Sequence, residues 1–124
     1  MAKKVKVYTP NQIAIGRLVL SLEQSGTNNP TFTILQNTLR NQPDASIFVT
    51  RAGTGWYNIS LPNNLNDTIR SGCDNKDVDS SLAIARIGLG TFRLYQTTGG
   101  LPADGLQANT TVIIEEYSQI NMNS

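Results

Sequence analysis

Few residues in this chain are of a type that could do chemistry. "CDNKDVDSS" (73–81) gathers Asp74, Asp77 and Asp79, spaced so that a loop could turn their oxygens onto one Ca2+. The stretch lacks the glycine and the distal glutamate of the familiar calcium loop, and Lys76 sits inside it. It reads as a solvated acidic loop, with calcium left as the open alternative. Glu115 and Glu116 are the obvious acid–base candidates, but adjacent strand residues point to opposite faces and cannot flank one substrate. They are expected to be surface or interface groups. "GLGTFR" (88–93) begins like a dinucleotide loop, yet the third glycine is missing and a strand pattern follows where a helix would be needed. Gly88 and Gly90 are therefore read as a turn.

The residues that are absent exclude more. The chain has no histidine, which removes Ser-His-Asp and Cys-His nucleophile activation and His-ligated metals. Cys73 is the only cysteine, so neither an intramolecular disulfide nor a multi-thiolate zinc site can form within one chain. The expectation is a non-enzymatic protein with no catalytic, cofactor-binding or metal residues. A net charge of +1 gives no electrostatic case for nucleic acid. Charged residues are 15% of the chain, below the usual quarter or so, and the polarity comes from Asn, Thr, Ser and Gln. Such a surface suits extracellular and virion proteins or packed interfaces.

Three glycosylation-type triplets, at Asn58, Asn66 and Asn109, arise readily in a chain this rich in Asn and Thr. Lys3, Lys4 and Lys6 imitate the start of a signal peptide, but "VYTPNQ" follows where an apolar run should stand. The run "IAIGRLVLSL" (13–22) is half a membrane span and contains Arg17. The reading is a soluble chain with no secretion signal. The three lysines form an N-terminal arm, either a solubilising tail or a dock onto an acidic neighbour.

The elements that must position these residues are strands. Helical spacing is confined to "NLNDTIRSG" (64–72), at most one turn, within a longer loop over 62–80. Elsewhere the period is two, rich in β-branched and aromatic residues, with turns between. Candidate strands are "TFTILQNTL" (31–39), "SIFVTR" (46–51), the alternating part of "GTGWYNISLP" (53–62), "SLAIARIGL" (81–89), "TFRLYQT" (91–97) and "NTTVIIEEYS" (109–118). In "IAIGRLVLSL" the apolar phase switches from odd to even at Gly16, as a bulge requires. "AGTG" (52–55) is a tight hairpin connection with its glycines at positive φ. The fold expected is all-β, an antiparallel β-sandwich (jelly-roll or Ig-like) of about seven to nine short strands with no substantial helix. Residues 1–12 form an arm or first strand, 13–118 the single domain, and 119–124 a polar tail.

One residue resists this pattern. Tyr57, Ile59 and Leu61 share one face of their strand, which sends the only tryptophan, Trp56, to the other. By the same alternation Phe92 and Leu94 take the core side of their strand, leaving Arg93 and Tyr95 beside Trp56. Trp, Tyr and Arg are enriched at binding hot spots. Four placements stay open: an interface, closure of the sandwich over Trp56, cover by a loop, or a register shifted by one.

The succession "SGTNNPTFTILQNTL", "FVTRAGTGWY" and "ADGLQANTTVIIEEY" is similar to small β-sandwich virion proteins of Bacteroidetes phages and prophages, including crAss-like phages. Pro30 and Thr31 match the first turn of that family's pattern, and Asn37, Thr38 and Leu39 the strand end that follows. Gly53, Gly55 and Tyr57 match its hairpin. Asp104, Gly105, Leu106, Asn109, Thr110 and Tyr117 match its closing strand. The match runs from about Leu18 to Ser118; Arg40 stands where the family has glycine, and 62–80 matches poorly. The resemblance implies a phage virion structural protein located in the particle and assembled in the host cytoplasm: a capsid-decorating, head-fibre or tail component. Its implied partners are copies of itself as a homo-oligomer and other phage virion proteins, with no nucleic acid and no membrane. The expected contact residues are Trp56, Arg93, Tyr95, Lys3, Lys4 and Lys6. The alternative is a carbohydrate-binding or host-attachment module in which Trp56 and Tyr95 stack on host-surface glycans.

Overall fold

The computed structural model describes residues 12–65, 68–75 and 80–119. Alternation of apolar and polar residues builds β1 (Gln12–Glu23), β2 (Thr31–Asn37), β3 (Phe48–Gly53), β4 (Trp56–Ser60), β5 (Thr68–Asp74), β6 (Ser80–Arg86), β7 (Thr91–Thr98), β8 (Leu101–Pro102) and β9 (Thr110–Gln119). A single 3-10 turn at Asp44–Ser46 is the only helical element among the described residues. The strands form two antiparallel sheets, ordered β2-β1-β9-β5 and β3-β4-β7-β6, with the short β8 added to β7. The result is the β-sandwich that the sequence predicts. We call the sheets A and B in that order.

One hydrophobic core lies between the two sheets. Sheet A contributes Leu18, Leu20, Leu22, Val112 and Ile114; sheet B contributes Val49, Tyr57, Ile59, Phe92 and Leu94. Leu39, Ile47, Leu61, Leu65 and Leu106 close the ends from the connections. The even phase of β1 is the buried one, and the switch happens at the expected place. The β1–β9 register shifts between Ala14 and Gly16, a bulge that brings all later leucines inward. Gly16 is required there, since a Cβ would lie 2.8 Å from the Thr38 carbonyl oxygen and 3.0 Å from the Leu39 Cα.

The structure corrects the sequence reading in three places. Residues 68–74, expected within a loop with a helical turn, form the edge strand β5, paired to β9. Ile69 and Cys73 lean on the core while Ser71 between them is polar and exposed, so a period-two strand shows only its first and third apolar members. The four-residue spacing that imitates a helix is that of Leu65 and Ile69, the one in the connection and the other in the strand, both on the core. Second, Glu116 is not a surface group: it is 3% exposed, on the same inward face as Val112 and Ile114. It lies opposite Gly16, whose missing side chain leaves room, and the Arg40 guanidinium reaches it at 3.0 Å. Third, only Gly55 of the β3–β4 connection has positive φ (72°), whereas Gly53 does not. The β1–β9 ladder runs from the pairing of Gln12 with Gln119 to that of Leu22 with Thr110. The stretch "VKVY" (5–8) lies outside the described residues.

Two glycines separate conformational strain from collision. Gly26 (φ 59°) has open space where a Cβ would go, while a Cβ on Gly55 would lie 2.5 Å from the Gln96 carbonyl oxygen. Gly26→Ala should cost about 1 kcal/mol, the ordinary price of a left-handed residue. Gly55→Ala should cost about 2–4 kcal/mol, strain and overpacking together. Urea midpoints of the two variants check this, and equal losses would show that the Gly55 contact is not tight.

Candidate interaction face

Alternation that fills the core also decides what each sheet shows to solvent. On sheet B the outward positions are Phe48 and Thr50 on β3, Trp56, Asn58 and Ser60 on β4, Arg93 and Tyr95 on β7, and Ala83 and Ala85 on β6. The registers align them in rows: Trp56, Tyr95 and Ala83 in one, and Thr50, Asn58, Arg93 and Ala85 in the next. Trp56 is 42% exposed and points away from the core, so among the described residues neither closure of the sandwich, nor a covering loop, nor a register shifted by one accounts for it. Two side chains steady its ring. Tyr95 meets it edge-on with centroids 5.8 Å apart at 77°. The Arg93 guanidinium carbon stands 5.2 Å from the ring centroid, a cation–π distance. Gly53, directly across the β3–β4 ladder, lies beside the indole, where a Cβ would stand 3.9 Å from Trp56 Cε3 in ordinary contact.

Arg93 is itself oriented. Its Nε donates to Asn58 Oδ1 at 2.8 Å, which turns the two terminal nitrogens toward solvent. Phe48 (58% exposed) and Ile87 (44%), the latter at the β6–β7 turn, extend the apolar surface beyond the aromatic pair. Arg93 is the only charged residue among the outward positions of sheet B's strands. Sheet A differs. Its outward positions carry Arg17, Glu23, Arg70, Asp74 and Glu115, with Arg17 bound to Glu115 at 2.7 Å and Arg70 4.9 Å above the Tyr117 ring.

The other sequence candidates are not brought to this face. Lys3, Lys4 and Lys6 lie outside the described residues, as do Asp77 and Asp79; Asp74 ends β5, opposite Thr111. Cys73 is half-buried with Sγ 3.6 Å from the Leu82 carbonyl oxygen, and burial pushes its thiol up, away from a reactive thiolate. Among the described residues no group of three His, Cys, Asp or Glu side chains stands close enough to hold a metal.

Sequence reasoning missed a second polar cluster, on the inner side of sheet B. The Asp104 carboxylate accepts from the Gly55 amide (2.9 Å), the Tyr57 hydroxyl (3.0 Å) and the Arg51 guanidinium (2.9 Å to Nη2). Gln24 Oε1 accepts from the Gly105 amide at 2.6 Å and lies 2.9 Å from the Tyr57 hydroxyl, whose one proton serves either oxygen. The Gln24 amide then donates to the carbonyls of Gly26 and Asn28, closing the turn before β2. With Oδ1 taken by Gly55, Tyr57 and Arg51 and Oδ2 by Arg51, Asp104 acts as a cross-link. The signal was present in the sequence: Gly55 and Tyr57 of one weak motif and Asp104 and Gly105 of another are the residues that meet here.

Fold and face together define a two-sheet antiparallel β-sandwich with an aromatic, nearly uncharged outer surface on one sheet. Compared with known protein families, curated proteins and solved structures, the chain matches none.

The cross-link has a pH signature. Arg51's hydrogen bonds hold Asp104 below its ordinary value of 3.8, while burial, joined by the bond to Asp104, pushes Tyr57 well above its own. Asp104's contribution is therefore full above about pH 4 and is lost as pH falls through its lowered folded-state pKa. The stability gap between wild type and Asp104→Asn should narrow below pH 3.8 in acid-denaturation curves. A gap independent of pH would mean that the carboxylate's charge does not hold the loop. Tyr57→Phe should cost about 1–2 kcal/mol by urea denaturation, one buried hydroxyl bond lost.

Proposed function

We propose that this chain is a non-enzymatic phage virion structural protein, a capsid-decorating, head-fibre or tail component acting through protein–protein contacts with its own copies and with other virion proteins. The observation that carries the reading is the outer face of sheet B. There Phe48, Trp56 and Tyr95 stand exposed or half-exposed around a single charge, on a sheet surface that a solitary sandwich would keep polar. A low-charge surface of Asn and Thr supports it, as does the likeness of the sequence to small phage β-sandwiches. In this reading the rigid core makes the chain a brick, and Trp56, Arg93 and Tyr95 form the contact. Lys3, Lys4 and Lys6 anchor an arm on a neighbour.

A carbohydrate-binding role is the second reading, favoured by the exposed Trp56 ring beside the Asn58 amide and the Arg93 fork. Because the chain has one tryptophan, its fluorescence reports on this face alone. A shift on adding glycans supports the sugar, and a shift on dilution alone supports the subunit contact.

Trp56→Ala should weaken assembly by about 2 kcal/mol or more, a hot-spot loss. It should lower fold stability by no more than about 1 kcal/mol, since the ring contacts lie outside the core. Paired binding and urea measurements check both, and lost stability with unchanged assembly would refute the placement. Quantitative mass spectrometry of purified particles from the source phage tests the virion role directly. Hundreds of copies indicate capsid decoration, a few dozen or fewer a fibre or tail part, and absence refutes the reading.

A further inference from the structure

The distribution of unpaired charge is uneven between the two outer faces. Arg17, Arg40 and Arg51 are each bound to a carboxylate, at 2.7, 3.0 and 2.9 Å. Arg70 stacks on Tyr117, and the Arg86 guanidinium is spent on the carbonyl oxygens of Leu65, Gly88 and Leu89. Arg93 differs from all of these. Its Nε is held by Asn58 and its plane lies by Trp56, but its terminal nitrogens meet no acceptor among the described residues. The carboxylates show the same pattern with one exception. Asp104, Glu115 and Glu116 are in ion pairs, and Asp44 accepts from the Asn37 amide at 2.6 Å. Glu23 has no side-chain partner among the described residues. It is exposed and continues the outward alternation of Arg17, Val19 and Ser21 on sheet A.

We infer that copies of this chain stack head to tail, the outer face of sheet B on one copy resting against the outer face of sheet A on the next, with Arg93 of one copy bound to Glu23 of the other. This inference rests on the subunit-contact reading of the aromatic face and names its occupant. Charge complementarity selects the pairing. Stacking sheet B on sheet B would bring Arg93 toward its own equivalent on a face with no carboxylate at any described outward strand position. Stacking sheet B on sheet A joins Arg93 to Glu23, the cation with open donors and the carboxylate without a side-chain partner among the described residues. It also covers Trp56 and Phe48 with Val19 and Ile113, the apolar outward residues in the middle of sheet A. Arg suits the role because its oriented fork accepts a carboxylate while its flat face stays on the indole. Such a contact is heterologous, so it propagates into a ring or a filament and does not close as a two-fold dimer.

Charge exchange between copies tests this with the full chain in sedimentation velocity over a range of concentration. Wild type should associate, less so as salt rises. Arg93→Glu and Glu23→Arg should each weaken self-association tenfold or more, by setting like charges against each other. An equimolar mixture of the two, in which every junction is again complementary, should recover it, and so should the double variant. Circular dichroism confirms that the variants are folded; should a reversal not fold, Arg93→Gln and Glu23→Gln should each still weaken association by removing one charge of the pair, without recovery in the double variant. Association abolished by Trp56→Ala but untouched by the charge reversals would overturn the head-to-tail pairing and leave the subunit-contact reading standing. Failure of the mixture to recover association would overturn it equally. A chain that stays monomeric at every concentration overturns self-stacking, whereas the virion role is decided separately by particle composition.

Discussion

The Asp104 carboxylate ties together parts of the chain that the ladders alone do not join. It sits in the connection between β8 and β9 and takes hydrogen bonds from Arg51 of β3, Gly55 of the β3–β4 turn and Tyr57 of β4. Through Tyr57 and Gly105 it reaches Gln24, which directly follows β1 and closes the turn after it. Sheet A and sheet B are thus coupled at one end by hydrogen bonds as well as by the apolar core. A charged acceptor is suited to this, because each bond it takes is worth more than a neutral one and several donors converge on it. The position of Trp56 depends on that arrangement. The hairpin that Gly55 and Asp104 fix is the one that turns Tyr57 inward and therefore Trp56 outward.

The two outer faces meet opposite physical requirements. Sheet A carries a mixed-charge surface whose pairs are satisfied locally, as with Arg17 and Glu115. Sheet B has replaced charge with rings and small residues: Ala83 and Ala85 on β6 keep the surface low beside Tyr95 and Arg93. A flat, low surface around a standing tryptophan allows close approach of another surface, and the shape follows from residues too small to attract notice in the sequence.

Much of the sandwich was legible before the coordinates. Leu18, Leu20 and Leu22, then Tyr57, Ile59 and Leu61, announce their buried faces by strict alternation, and Gly16 marks the bulge that sets the first group in phase. Trp56, Arg93 and Tyr95 follow as the remainder of the same alternation, so their shared face was legible too. What was hidden had weaker periodicity or depended on partners far along the chain. β5 was concealed because Ser71 interrupts its apolar set. Glu116 was misplaced because its burial depends on Gly16 and Arg40, neither of which is near it in sequence. The Asp104 cluster could be located only by knowing that two turns, some fifty residues apart on the count of Tyr57 to Asp104, are neighbours (|i−j| 47). Arg40 has a role that no local pattern announces, since it pairs with the buried Glu116.

Sheet A has an order that matters before the protein is folded at all. Its two inner strands are β1 and β9, the first and last of the described strands, and β9 joins β1 to the edge strand β5. Until β9 leaves the ribosome, β1 and β2 form a hairpin with an open edge, and β5 has no sheet to join. The inward leucines of β1 meanwhile have no Val112 and Ile114 beside them. Folding of the sandwich accordingly waits for β9, governed by a contact between distant parts of the chain and slowed by the loop it must close. The unfinished chain exposes a bare strand edge for the whole of that interval, which makes premature release or truncation ahead of β9 the point at which this protein is most prone to aggregate.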